Sequence, residues 1–157
     1  MTFQISMNIP TTQYPSIFRR LGAMFYDSLL IIALCLAYGA LVLWAKVAWF
    51  EYNLEAGEKA SIGLLGFAGM LLIIASYFCF FWMRSGQTLG MKTWHIQILG
   101  ETGQYLSLRQ AIIRWLLACC SMAVMGIGYL WSAIDKDNQT LHDLFSQSRT
   151  VLLPKGK

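Results

Sequence analysis

The sequence predicts an all-helical integral membrane protein, a small polytopic bundle of about three apolar segments with a short β-like cytoplasmic loop. Composition is the first reason. Of 157 residues, 57% are hydrophobic and only 13% charged, about half the ~25% charged share of soluble domains, and mean hydropathy is +0.51. Patterning is the second. Long apolar runs occupy residues 21–47, 61–83 and 111–134, and each exceeds the ~20 residues needed to cross ~30 Å of hydrocarbon. One transmembrane domain is expected over residues 16–152, with residues 1–15 as a lead-in broken by Pro10 and Pro15.

Ser16 can cap a helix opening with Ile17 and Phe18. Arg19 and Arg20 then stand at the cytoplasmic boundary, and no Lys or Arg precedes them, so the first segment is expected to stay as an uncleaved anchor. Asp27 follows inside the apolar run. A carboxylate in a lipid-facing position costs at least ~2.5–3.5 kcal/mol, so it is expected to face protein or water and to have a partner. A spacing of seven puts Arg20 and Asp27 on nearly one helix face, about 10 Å apart along the axis. Asp27 is either a titratable or ion-binding group, or a structural staple to a neighbouring helix.

Trp44, Trp49 and Tyr52 form an aromatic belt at the far end of the first span. The acidic loop 51–60 is poor in Lys and Arg and belongs outside. In the second span Gly63, Gly66 and Gly69 recur every third residue, a small-residue stripe for close helix packing. Residues 84–109 return to the positive side. They open on Ser-Gly-Gln-Thr-Leu-Gly-Met-Lys, a tight turn, after which Trp94, Ile96 and Ile98 alternate with His95 and Gln97 in strand period. Gly100, Glu101, Thr102 and Gly103 read as a hairpin turn, with Gln104 to Leu108 as the return strand. Ser107 and Gln110 have the spacing of a capping box.

The third segment carries Arg114 near its start. One crossing would put the C-terminus outside, whereas Lys136, Arg149, Lys155 and Lys157 favour the inside. A break at Gly126-Ile127-Gly128 would give a re-entrant hairpin with both ends cytoplasmic, tolerable only if buried in protein. An internal echo supports the inside: Gln139-Thr140-Leu141 repeats Gln87-Thr88-Leu89.

Three stretches together resemble the RDD family of small, mainly bacterial membrane proteins, named for one arginine and two aspartates. They are Arg20-x-x-Ala23-x-x-x-Asp27, then residues 86–92, then Gln139-Thr140-Leu141-His142-Asp143 before Thr150-Val151. The resemblance covers roughly residues 16–152. Arg20 and Asp27 match the arginine and first aspartate, and Asp143, in preference to Asp135, the second. Where the family often has Pro after the Thr and Gly next to Lys, this chain has Leu89, and Met91 between Gly90 and Lys92. The resemblance implies a multi-pass protein of the bacterial inner membrane with a cytoplasmic N-terminus. It also implies transport of a small ligand, with sodium/proton exchange in some members.

The candidate site is therefore Arg20, Asp27, Arg114 and Asp143. In the transport reading, Asp27 holds a proton or a cation, Arg20 or Arg114 tunes it, and Asp143 feeds ions in from the cytoplasmic surface. In the alternative, the four residues form a fixed polar network in a membrane scaffold or accessory subunit. Three spans are few for a pathway, so a homo-oligomer is expected, with the bilayer and a small cation or solute as partners.

An enzyme is not expected, since His95 and His142 read as polar surface-side residues outside any metal-ligand set, and residues 86–92 lack P-loop spacing. The cysteines, Cys35, Cys79, Cys119 and Cys120, read as small buried hydrophobes without Cys-x-x-Cys spacing. No cofactor or metal is called for. The net charge of +4, scattered at segment ends, orients helices and meets lipid headgroups through Lys92, Arg109 and Arg114; it does not form a nucleic-acid patch.

Overall fold

The computed structural model describes residues 14–50, 61–124, 128, 131 and 139–154. The acidic loop 51–60, most of the lead-in, the break at Gly126 and Ile127, and Asp135 lie outside the described residues. The described elements are α1 (Ile17–Phe50), α2 (Gly63–Arg84), α3 (Leu89–Thr93), β1 (Ile96–Gly100), α4 (Leu108–Ala123), α5 (Leu141–Phe145) and β2 (Ser148–Leu152).

Helix α1 starts just after Pro15, where the Ser16 carbonyl accepts from the Arg19 and Arg20 amides. Its 34 residues reach about 51 Å, well beyond one hydrocarbon thickness. The surplus lies at its N-terminal end, where Ala23 joins a small core with Cys79, Trp82, Met91, Ile96, Ile98, Leu106 and Ala111. Residues 28–50 alone would extend about 34 Å, enough to cross. Beyond the core α1 has mainly α2 beside it. Gly69 receives the Tyr38 side chain and Gly66 lies against Val42, which is how the glycine stripe brings the two helices together.

Both α1 and α2 are long and apolar enough to cross a membrane, and almost none of either apolar window is buried in protein. A core helix of a soluble domain would be covered. Here Leu29, Ile32, Leu36, Leu41, Leu64, Leu65 and Leu72 are exposed, a surface suited to lipid.

Strand β1 has a different partner from the expected hairpin. Residues Gln104 to Ser107 form no strand, and Gln104 meets β1 only where its carbonyl accepts from the Gly100 amide at 2.8 Å. The partner is β2, antiparallel, with Ile96 opposite Leu152 and Gly100 opposite Ser148. Long-range pairing of this kind leaves no local turn signal. It also fixes topology: β1 is tied to the end of α2 where the Ile98 amide donates to the Gly86 carbonyl, so β2 lies at that same end. The first turns of α4 lie there too, with Arg114 bonded to Ser148 and Thr150 of β2. Helix α4 stops at Ala123 after 16 residues, and Gly128 lies back against it, since a Cβ there would collide with the Ser121 hydroxyl. Its start carries the complete Ser107–Gln110 capping box.

Candidate functional site

Asp143 is fully buried at the centre of a polar cluster built from four elements. Its Oδ2 lies 3.2 Å from an Arg20 guanidinium nitrogen on α1, and its Oδ1 lies 2.5 Å from Nη1 of Arg114 on α4. The Thr140 hydroxyl (2.7 Å) and amide (3.1 Å) donate to Oδ2, and the Thr150 hydroxyl donates to Oδ1 at 2.9 Å. Arg114 also donates to Ser148 and Thr150 of β2, and its guanidinium sits 5.5 Å from the Trp82 ring centroid on α2, within cation–π range. The cluster explains why β2 escapes a search for alternating apolar residues. Its inward face is hydroxylic, Ser148 and Thr150, while Arg149 between them points out.

Buried charges are tolerable when paired and hydrogen-bonded, and this carboxylate is saturated. Burial by itself would raise the Asp143 carboxyl, but Arg114 and Arg20 outweigh it and hold the group well below the usual carboxylate range. An ion-feeding role at the surface is thereby corrected, because Asp143 is inaccessible and committed to two arginines.

Asp27, also buried, is held by a separate set of donors. The Tyr77 hydroxyl on α2 reaches Oδ1 at 3.0 Å, the Gly90 amide reaches the same oxygen at 2.9 Å, and the Thr88 hydroxyl donates to Oδ2. Thr88 in turn caps α3 by accepting from the Met91 amide. So α3 docks on α1 through a carboxylate at its own start, where exposed amides and the helix dipole favour an anion. Gly90 makes the approach possible, since a Cβ there would stand 2.3 Å from the Ala23 carbonyl oxygen. Gly86, at φ +67°, turns the chain out of α2, and its carbonyl accepts from the Ile98 amide at 2.7 Å.

Beside Asp27 lies a cavity of about 80 Å³. Its polar lining is Arg20, Asp27, Thr88, Arg114, His142 and Thr150, and its apolar walls include Phe78, Trp82 and Ile98. That is room for ordered water or a small ion and well short of the ~300 Å³ at which drug-sized pockets begin. Of the four residues singled out by sequence, Arg20, Asp27 and Arg114 line this cavity, and the fourth, Asp143, is ion-paired to both arginines. Tyr77, Thr88, Gly90, Thr140, Ser148 and Thr150 were not anticipated. The echo of Gln87-Thr88-Leu89 in Gln139-Thr140-Leu141 was the available signal, because both threonines cap helices that present carboxylate contacts.

The sequence pattern of the RDD family matches residues 14–147. The chain belongs to the RDD family. Arg20, Asp27 and Asp143, the residues matched to the family's name, are three of the four charges at this site, and Arg114 is the fourth. No curated protein matches the RDD chain, and no solved structure does. Family membership together with two uncovered apolar helices makes this a membrane protein.

Two further residue types sit differently from expectation. His142 is no surface residue; it is 3% exposed and lines the cavity. Burial first, then the Arg114 charge, lowers it from 6.5 to about 3, so it is neutral when folded. The unfolded chain binds this proton near pH 6.5 and the folded one does not. Stability should therefore fall as pH drops from 6.5 towards 4, by up to about 1.4 kcal/mol per unit. Denaturation of His142→Gln across that window should give a flatter profile. Among the cysteines only Cys79 is buried; Cys35 is half-buried, and Cys119 and Cys120 are exposed, on the kind of uncovered face that lipid would contact.

Proposed function

We propose that this RDD protein moves a small cation or solute across the bilayer, in proton-coupled exchange, with Asp27 as the group that holds a proton and a cation in turn. The observation that carries this reading is the small cavity beside Asp27, mostly apolar in its walls but lined also by Arg20, Thr88 and Arg114. The Asp27 carboxylate is bound by two hydroxyls and one amide, neutral donors that can rearrange around a bound cation. Asp143, locked by two guanidiniums, is then the fixed frame of the site. No covalent chemistry, cofactor or nucleic acid enters this role.

The orientation we assign puts the α1 start and the β1–β2 sheet in the cytoplasm of a bacterium, against the inner membrane. Arg84, Lys92, Arg109 and Arg149 are exposed there and Arg19 is half-exposed, against Glu101 as the one exposed acid among the described residues. This is the bias of a cytoplasmic face, where lysine and arginine also meet anionic headgroups. With two long helices and one short re-entrant one, the pathway is expected to be completed by a second copy of the chain.

Purified protein in proteoliposomes tests the carrier role. Asp27→Asn should abolish cation-dependent proton flux per folded molecule, and undiminished flux would sink it. A second reading rests on the same saturation of hydrogen bonds: both carboxylates serve only to fasten α3 and α5, and the protein is a scaffold or accessory subunit. In that case Asp27→Asn lowers abundance, while the wild-type protein shows no flux for any cation.

A further inference from the structure

The segments after α2 and before the C-terminus repeat each other in backbone detail, 52 residues apart. Thr88 and Thr140 are both extended N-caps whose hydroxyls accept from the amide three residues on, Met91 and Asp143. Each opens a five-residue helix, α3 or α5. Each helix is followed by a residue of positive φ, His95 at 55° and Gln147 at 50°. Each then enters a five-residue strand, β1 or β2.

The pairing respects the repeat. Ile98 lies opposite Thr150 at the centre of the ladder, and these are equivalent positions. Beyond its two ends, the Leu153 amide donates to the His95 carbonyl and the Glu101 amide to the Gln147 carbonyl, again equivalent groups. An approximate twofold axis therefore passes through the Ile98–Thr150 pair.

One difference breaks the symmetry. In the second copy Asp143, at the third position of α5, closes the capping box by accepting from the Thr140 amide and hydroxyl. The first copy has Met91 in that place, and there the Thr88 hydroxyl donates to Asp27 of α1 instead. Helix α1 is thus shared between the copies, giving a carboxylate where the copy lacks one and an arginine, Arg20, where the copy has its own.

We infer that Asp27 is a positioning residue that supplies, from outside, the helix-start carboxylate missing from the first copy of an internal repeat. A carboxylate at position 91 can then take its place. The geometry allows the exchange without altering buried charge, since Met91 lines the same cavity as Arg20 and Arg114. In the Asp27→Asn, Met91→Asp protein one carboxylate is lost and one gained on the lining of the same cavity.

The test uses full-length protein in lipid nanodiscs, with thermal stability and amide hydrogen exchange over residues 88–93 as readouts. Asp27→Asn should lower Tm and speed exchange of the α3 amides at least tenfold. Adding Met91→Asp should recover half or more of both, and Met91→Asn, an uncharged isostere, should not. The inference is overturned if Asp27→Asn leaves α3 exchange unchanged, if Met91→Asp gives no recovery, or if Met91→Asn recovers as much. Should Asp27→Asn fail to accumulate, yield is the readout: recovery by Met91→Asp supports the inference, and continued failure overturns it. Flux separates this inference from the carrier role. A double variant that regains stability without flux leaves both standing, whereas regained flux removes Asp27 as the carrier and keeps the inference.

Discussion

Asp143→Asn is expected to destabilise the protein by about 3–5 kcal/mol, the usual cost of leaving a buried charge without its partner. The size follows from the surroundings. Asp143 is fully buried and ion-paired to both Arg20 and Arg114, so its neutralisation strands two guanidiniums in a site with little water to solvate them. An amide keeps the shape and can still accept from Thr140, which limits the steric loss and isolates the electrostatic one. Chemical denaturation in detergent should show the drop. A double-mutant cycle should show coupling as well: Arg20→Met should cost less in the Asp143→Asn background than in the wild type, because its charge no longer has its ion-pair partner there. Independent costs that simply add would mean that the cluster does not act as a unit.

Gly90→Ala is the second large expectation. The new methyl would stand 2.3 Å from the Ala23 carbonyl oxygen and 2.9 Å from the Asp27 carboxyl carbon, and one of those neighbours is backbone. Helix α3 must therefore move off α1, losing the Gly90 amide bond to Asp27 and disturbing the Thr88 bond beside it. Overpacking costs about 1–3 kcal/mol, and an unsatisfied buried group costs a similar amount. Tm should fall by several degrees, and any flux through the Asp27 site should fall with it. Gly39→Ala is the matched control. A Cβ at Gly39 meets nothing within 4 Å, so in mid-helix it should be neutral or stabilising, by up to about 1 kcal/mol. Equal losses at the two glycines would show that docking of α3 on α1 is not what Gly90 secures.

The sequence by itself determined the membrane class and the two long apolar helices, and it singled out four charged residues, Arg20, Asp27, Arg114 and Asp143, that the fold buries. Those are properties of composition, of apolar run length and of acids and bases where lipid would penalise them. It also contained the Ser107–Gln110 cap and the turn at Gly86, which depend on neighbours within a few residues, whereas residues 89–93 of the expected turn form helix α3. Only the tertiary structure decided who partners whom. Arg20 meets Asp143 across 123 positions of chain, a separation that helix periodicity on α1 cannot register. Strand β1 chose β2 over the nearer Gln104 to Leu108 because the twofold match of the two repeats brings equivalent edges together. His142 and Asp143 went from apparent surface residues to the interior for the same reason: α5 turns these two polar residues inward and leaves Leu144 and Phe145 exposed, with Asp143 reaching Arg20 near the start of α1. Local pattern reports which faces are apolar. It cannot report which distant polar groups will share one buried site, and here that sharing defines the site.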